Sequence, residues 1–95
     1  MDQERRRVRF HVTGEVQGVG FRATTRHKGN QLGLAGFVQN RADGGVEGEA
    51  EGAVAAVAAF TFWLHKGPPL ARVARVDLED LPPAAGAGAT FEVRR

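Results

Sequence analysis

A glycine-rich stretch, GEVQGVGFR over residues 14–22, separates two regular segments of the chain. Before it, VRFHVTG alternates apolar and polar residues, which predicts a half-buried strand. After it, residues 21–34 predict a helix of about three turns that ends near Gly33. Because glycine weakens strands and marks turns or close approaches of the backbone, the stretch is predicted to be a loop. The fold must therefore place a helix directly after this strand.

The remaining segments continue the alternation of strands and helices. LAGFVQN and VEGEAEG, separated by the turn residues RADGG, predict a hairpin. The segment GAVAAVAAFTFWLHKGPP, residues 52–69, predicts a second helix that stops at Gly67 and the two prolines after it. Its apolar residues form one stripe at helical spacing: Ala53, Ala56, Val57, Phe60, Trp63 and Leu64. ARVARVDLEDL predicts a fourth strand with Ala74, Val76 and Leu78 on one face. TFEVRR predicts a short last strand, and residues 82–89 between these two strands predict a flexible connection.

The order strand, helix, strand, strand, helix, strand predicts an α/β fold, a ferredoxin-like split βαββαβ sandwich. In this arrangement two helices cover one face of an antiparallel sheet. The 95 residues suit a single domain over 1–95 with one modest core. Because unrelated proteins share this architecture, it predicts no function by itself.

Composition narrows the classes of function. The chain has no cysteine, which excludes a disulfide framework and a thiolate zinc site. No apolar run approaches the roughly 18 residues of a membrane span, and no apolar stretch follows the N-terminal arginines as in a secretory signal. We therefore expect a cytoplasmic protein with no membrane partner. The net charge of +2 comes from mostly scattered basic residues without tyrosines, which favours a small anionic ligand over nucleic acid.

Two nucleotide-binding motifs fit the glycine-rich stretch poorly. The dinucleotide fingerprint G-x-G-x-x-G meets Ala23 at its third glycine, and the predicted hairpin does not belong to a doubly wound sheet. The P-loop motif needs a lysine and a hydroxyl residue that the stretch lacks. The remaining interpretation is an anion-binding nest, in which Gly18 and Gly20 turn successive N–H groups, from Gln17 to Arg22, toward one concavity.

Arg22 favours the nest interpretation. It falls in the first turn of the predicted helix, where a cation opposes the helix dipole by up to about 1 kcal/mol. A guanidinium can hold a phosphate through two parallel hydrogen bonds, and the free N–H groups of a helix start add further donors. The residues themselves thus predict a small phosphate site, with a surface position for Arg22 as the open alternative.

The sequence shows neither a metal site nor an activated nucleophile. The two threonines after Arg22 have no histidine placed to activate them. The histidines lack the spacing typical of metal ligands: His11, His27 and His65. Three glutamates alternate along the third strand and are better explained as its polar face than as a catalytic cluster: Glu47, Glu49 and Glu51.

Two motifs resemble the acylphosphatase family. VQGVGFR is similar to its V-Q-G-V-x-F-R loop, and GFVQNRADGGVE is similar to its segment G-[W/F/Y]-V-x-N-x-x-D-G-x-V-E. KGPPLARV extends the resemblance over nearly the whole chain. Two departures stand out. Phe37 occupies a position where the family often has tryptophan, and Gly29 occupies one where many members have alanine, which is expected to loosen the first helix.

The resemblance implies the ferredoxin-like fold and hydrolysis of the carboxyl–phosphate bond of small acyl phosphates, without a metal or cofactor. It implies that Arg22 and Asn40 are catalytic, and that the phosphate binds to the backbone amides of Gln17, Gly18, Val19, Gly20 and Phe21. Asn40 would orient the attacking water, because an amide accepts a hydrogen bond but is no base at neutral pH. From its position alone, Asn40 is equally compatible with a capping or turn role before RADGG.

We expect a monomer whose partner is the small-molecule substrate, with no nucleic acid bound. A second hypothesis from another class stays open at this point, namely a non-catalytic phosphate- or anion-binding regulatory module.

Overall fold

The computed structural model describes residues 4–84 and 90–95, so residues 85–89 of the predicted flexible connection lie outside the described residues. Its elements are β1 (Arg5–Glu15), α1 (Phe21–Gln31), β2 (Ala35–Asn40), β3 (Val46–Ala53), α2 (Val54–Leu64), β4 (Arg72–Leu81) and β5 (Phe91–Val93). The strands form one sheet in the order β4-β1-β3-β2-β5. The predicted α/β sandwich is confirmed. Within the described ranges, neither helix is long and apolar enough to cross a membrane.

Four strands of the sheet pair antiparallel, as the predicted fold requires. β1 lies between β3 and β4, and β2 pairs with β3. The short β5 pairs in parallel with β2, from Gly36–Phe91 to Val38–Val93, so the complete sheet is mixed. The strand itself was predicted from TFEVRR, but its parallel edge position is a long-range pairing that the local pattern does not contain.

The helices cover one face of the sheet, and the core lies between the helices and that face. Val8, Phe10 and Val12 of β1 are fully buried there, as their alternation predicts. Phe60 of α2 packs against Phe10 and Phe91, with ring centroids 5.5 and 5.4 Å apart. These aromatic contacts connect α2 with the centre of the sheet and with its β5 edge.

Gly29 is buried inside α1, where the helix packs against β5. A Cβ atom at this position would overlap the ring of Phe91. The glycine is therefore a packing requirement of this interface, rather than the loosened helix position expected from the sequence. Because this close approach excludes a Cβ atom, α1 bears the conformational cost of a glycine inside a helix, about 1 kcal/mol relative to alanine.

A bulge changes the side-chain alternation of β4. Gly14 of β1 pairs with Val73, while the preceding residue of β1 pairs with Arg75, so Ala74 has no partner. As a result, Val73 packs against the core together with Val76, and Ala74 is exposed. The prediction that Ala74 shares the apolar face with Val76 is wrong, because the extra residue shifts the alternation by one.

Candidate active site

The loop between β1 and α1 adopts the backbone conformation that its glycines allow. Gly18 and Gly20 have φ angles of 75° and 77°, in the left-handed region. Gly20 is the N-cap of α1, and no side chain caps the helix. Across residues 4–84 and 90–95, no turn or loop hydrogen bond uses the N–H groups of residues 17–20. These groups and the first N–H groups of α1 are therefore available to an anion.

The side chain of Gln17 holds this loop against the β2–β3 turn. Its amide nitrogen donates hydrogen bonds to the carbonyl oxygens of Arg41, at 2.7 Å, and Gly45, at 2.9 Å. Because Asn40 directly precedes Arg41, the Gln17 side chain connects the loop with the end of β2. The sequence predicted only a backbone role for Gln17, since nothing local to it indicates which carbonyl groups its side chain reaches.

The first turn of α1 is stabilised by two hydroxyl groups. The Thr24 Oγ1 donates to the carbonyl oxygen of Gly20 at 2.9 Å, and the buried Thr25 Oγ1 donates to that of Phe21 at 2.7 Å. The ring of Phe21 is buried and lies 6.0 Å from that of Trp63, between centroids. Both hydroxyls thus serve the backbone, consistent with the interpretation of the threonines as helix residues near the site.

The loop, α1 and the end of the sheet border a cavity of about 410 Å³. Its lining brings Arg22 and Asn40 together with three of the predicted loop residues, Gly18, Gly20 and Phe21. The two others, Gln17 and Val19, do not line it. The cavity therefore joins residues that are far apart in the sequence.

The two predicted catalytic side chains approach this cavity from different elements. Arg22 is half-buried in the first turn of α1, and its Nη1 donates to the carbonyl oxygen of Arg94 at 3.4 Å. Asn40 is exposed at the end of β2, paired with Val46. Among the hydrogen bonds of the described residues, none involves the Asn40 side chain, so the structure gives no support to a capping role.

Two arginines that line the cavity were not found by sequence reasoning. Arg26 follows Arg22 by one helical turn, and this i, i+4 spacing was the available signal. Arg95 follows β5, and the parallel pairing of β5 with β2 brings it to the cavity. No acidic side chain among the described residues lines this cavity, so the charged side chains of its lining are all arginines.

Hydrogen bonds of two carboxylates stabilise the β2–β3 turn. Asp43 accepts from the Gly45 N–H at 2.9 Å and from the Arg41 Nε at 3.0 Å, and these bonds lower the pKa of Asp43. Glu47 accepts from the Gln39 amide and from the Arg41 Nη1, both at 2.7 Å, and these bonds lower the pKa of Glu47. Both carboxylates therefore stabilise the turn that follows Asn40.

The other two glutamates of β3 also have partners away from the cavity. Glu49 pairs with the Arg7 guanidinium at 2.7 Å, and Glu51 lies 3.8 Å from that of Arg5. The hydrogen-bond donor to Glu51 is the Ala84 N–H, at 3.0 Å. Glu51 is buried, so the polar strand face predicted from the alternation is not uniformly solvated. In the part of the chain that the structure describes, no group of three or more acidic or histidine side chains is arranged to hold a metal ion.

Comparison with known proteins gives one consistent result. The acylphosphatase family profile matches residues 8–93. An acylphosphatase of Anaeromyxobacter dehalogenans is 50% identical over 96% of this chain and 97% of its own. The structure superposes on the acylphosphatase of Bacillus subtilis with a TM-score of 0.89, at 33% identity over 95% of this chain and 99% of that one. For the Coxiella burnetii acylphosphatase the TM-score is 0.87, at 37% identity over 95% and 93%.

These matches define the class of the protein as a hydrolase that acts on acid anhydrides. The chain belongs to the acylphosphatase family. The family and the enzyme class predicted from the two motifs are thereby confirmed.

Proposed function

We propose that this enzyme hydrolyses the carboxyl–phosphate bond of small acyl phosphates, with the phosphoryl group bound where the β1–α1 loop meets α1. The observation that supports this most is the cavity of about 410 Å³, which joins Arg22 and Asn40 to the glycines of the loop. All of these residues come from one chain, so we propose a monomer as the active form.

The phosphoryl oxygens accept hydrogen bonds from the free N–H groups of residues 17–21 and from the Arg22 guanidinium. The positive end of the α1 dipole adds a favourable field at the same point. Donors held in place before the reaction stabilise a transition state without reorganisation, and losing one such donor costs about 2.7–4 kcal/mol in a well-studied site. The left-handed glycines provide this arrangement, because they allow consecutive N–H groups to point into one concavity.

The leaving group of an acyl phosphate is a carboxylate, which is a weak base and departs without general acid catalysis. A water molecule attacks phosphorus, and the bond between phosphorus and the acyl oxygen breaks. The products are a carboxylate and inorganic phosphate, and we propose that the water proton passes to a phosphate oxygen of the substrate. The enzyme then has to bind the phosphoryl group, offset its charge and orient the water.

Asn40 orients this water in the proposed mechanism. Its amide oxygen accepts a hydrogen bond from the water, which restricts the approach of the nucleophile to the phosphorus atom. The exposed Asn40 side chain lines the cavity and makes no hydrogen bond to another described residue, so it is available for this contact. The Gln17 side chain holds the loop against the same turn and thereby keeps the phosphate and the water in register.

A metal is not required by this proposal, because the Arg22 guanidinium and the amide groups supply the positive potential. The test is to measure phosphate release from acetyl phosphate and benzoyl phosphate, with and without a chelator, for the wild type and Arg22→Ala. We expect equal release with and without chelator, and a large loss in Arg22→Ala. Loss of activity with chelator would contradict the metal-free mechanism, and the absence of release from both substrates would favour the anion-binding module.

A further inference from the structure

The cavity of the proposed site carries more positive charge than a phosphoryl group requires. Arg26 and Arg95 line it in addition to Arg22, and no ion pair among the described residues involves these three side chains. Elsewhere, carboxylates neutralise the arginines Arg5, Arg6, Arg7, Arg9, Arg41 and Arg75. Other described cations outside the cavity, such as Arg72, also make no ion pair, so what distinguishes the cavity is that three unpaired arginines line it together.

The helix places its two cavity arginines in a row. Arg26 follows Arg22 by four positions, so the two share one face of α1, and Arg26 lies about 6 Å farther from the loop along the helix axis. Two like charges at this spacing weakly destabilise a helix. No acidic side chain among the described residues lines the cavity to offset this repulsion, and an anionic ligand bound there would offset it.

We infer that Arg26 and Arg95 select acyl phosphates whose acyl chain carries a second anionic group, such as the free carboxylate of a dicarboxylic acid. This inference rests on the proposed function, because it requires the phosphoryl group to bind in the loop beside Arg22. From there, the acyl chain extends along the cavity past the next turn of α1. A four-carbon chain with single bonds of about 1.5 Å spans the distance to Arg26. A guanidinium then binds the carboxylate through charge-assisted hydrogen bonds.

Succinyl phosphate and butyryl phosphate test this selection, because both have four carbons and they differ in a terminal carboxylate against a methyl group. We expect the wild type to have a higher kcat/KM with succinyl phosphate. Arg26→Gln is expected to lower the succinyl-to-butyryl ratio of kcat/KM by up to about fivefold, the effect of one exposed charge pair. Arg26→Gln combined with Arg95→Gln is expected to remove most of the preference.

Lys28→Gln is the matched control, since it removes one positive charge from the same helix at a position that does not line the cavity. We expect it to retain the wild-type ratio. Added salt should reduce the preference of the wild type for succinyl phosphate, because salt screens the attraction between exposed arginines and the substrate carboxylate. Glutamine at position 26 or 28 keeps a good helix-forming residue at an exposed or half-buried position, and Arg95 is exposed outside the helices, so we expect all three substitutions to preserve the fold.

An unchanged ratio in Arg26→Gln and in the double variant would overturn the inference. So would an equal decrease in Lys28→Gln, because the preference would then reflect the overall charge of the protein. If the wild type hydrolyses butyryl phosphate and Arg22→Ala does not, either of these results would leave the proposed function intact. Failure of the wild type to hydrolyse both substrates would overturn the proposed function and the inference together.

Discussion

The left-handed conformation of Gly20 provides a test in which stability and activity separate. Gly20 has φ 77° and ψ 17°, and a Cβ atom built on it meets no heavy atom within 4 Å. Gly33, after the other end of α1, has φ 72° and equally open surroundings. It ends the helix in a Schellman arrangement, with the Leu34 N–H bonded to the Gly29 carbonyl at 2.9 Å. The two glycines therefore have the same backbone requirement, at opposite ends of one helix.

Alanine at either position is expected to destabilise the fold by the same amount. Left-handed backbone costs an L-residue roughly 1–2 kcal/mol, and no steric overlap adds to this cost at Gly20 or Gly33. In a domain of this size, each kcal/mol lowers Tm by roughly 4–8 °C. Thermal and urea unfolding of the wild type, Gly20→Ala and Gly33→Ala measure this directly.

Activity is expected to distinguish the two variants. In Gly20→Ala, relaxation of the backbone toward right-handed φ turns an N–H group away from the cavity, which removes a phosphate donor. We expect kcat/KM for acetyl phosphate to fall by about 100-fold, the lower end of the effect of losing one such donor. Gly33→Ala should remain close to the wild type. Equal activity of the two variants would refute the proposal that the glycine conformation forms the phosphate site, and unchanged stability of both would refute the strain argument.

Three further substitutions or conditions probe other parts of the structure. Gly29→Ala is expected to destabilise the fold by about 1–2 kcal/mol in urea unfolding, because overlap with Phe91 exceeds the gain in helix propensity. The free energy of unfolding should decrease as the pH is lowered below about 4.5, because the folded state holds the pKa values of Asp43 and Glu47 below their ordinary values of 3.8 and 4.5. The unfolded chain then takes up protons first. Urea unfolding from pH 6 to 3 measures this. Gln17→Ala should lower kcat/KM about tenfold by releasing the loop from the β2–β3 turn, as measured by phosphate release.

Each of these has a control in the same chain. Phe91→Leu should relieve part of the Gly29→Ala defect, and additive effects of the two changes would contradict the contact between them. Asp43→Asn should flatten part of the acid loss, whereas parallel pH curves for this variant and the wild type would exclude the turn as its source. Gln17→Glu keeps the length of the side chain but loses the donors, so activity equal to the wild type would contradict the anchoring role.

The order of the elements and the shape of the loop were readable from the sequence because their causes are local. Alternation in β1 predicts its buried face, and a turn that needs positive φ selects glycine at positions 18 and 20. The bulge at Ala74 was not predicted, because it arises from the pairing of β4 with Gly14. The role of Gly29 was not predicted either, since the ring above it comes from β5, 62 residues later in the chain.

In the candidate site, too, the residues differ in whether a local signal in the sequence indicates them. Arg22 was found from its unfavourable position at a helix start, which is a local signal. Asn40 needed the family motif, because neither its neighbours nor its spacing distinguishes a water-binding amide from a turn residue. Arg95 reaches the cavity only through the parallel pairing of β5 with β2, so no local pattern indicates it.

In the proposed mechanism Arg22 binds the phosphoryl group and Asn40 orients the water, and steady-state kinetics of Asn40→Ala separate these two roles. The measurement is kcat for acetyl phosphate together with the inhibition constant of inorganic phosphate, compared with Arg22→Ala and the wild type. We expect Asn40→Ala to lower kcat by about 100-fold, the cost of a misplaced reactant, with the inhibition constant unchanged. Arg22→Ala should raise that constant and KM as well as lower kcat. A wild-type kcat in Asn40→Ala would contradict the proposal that this side chain orients the water.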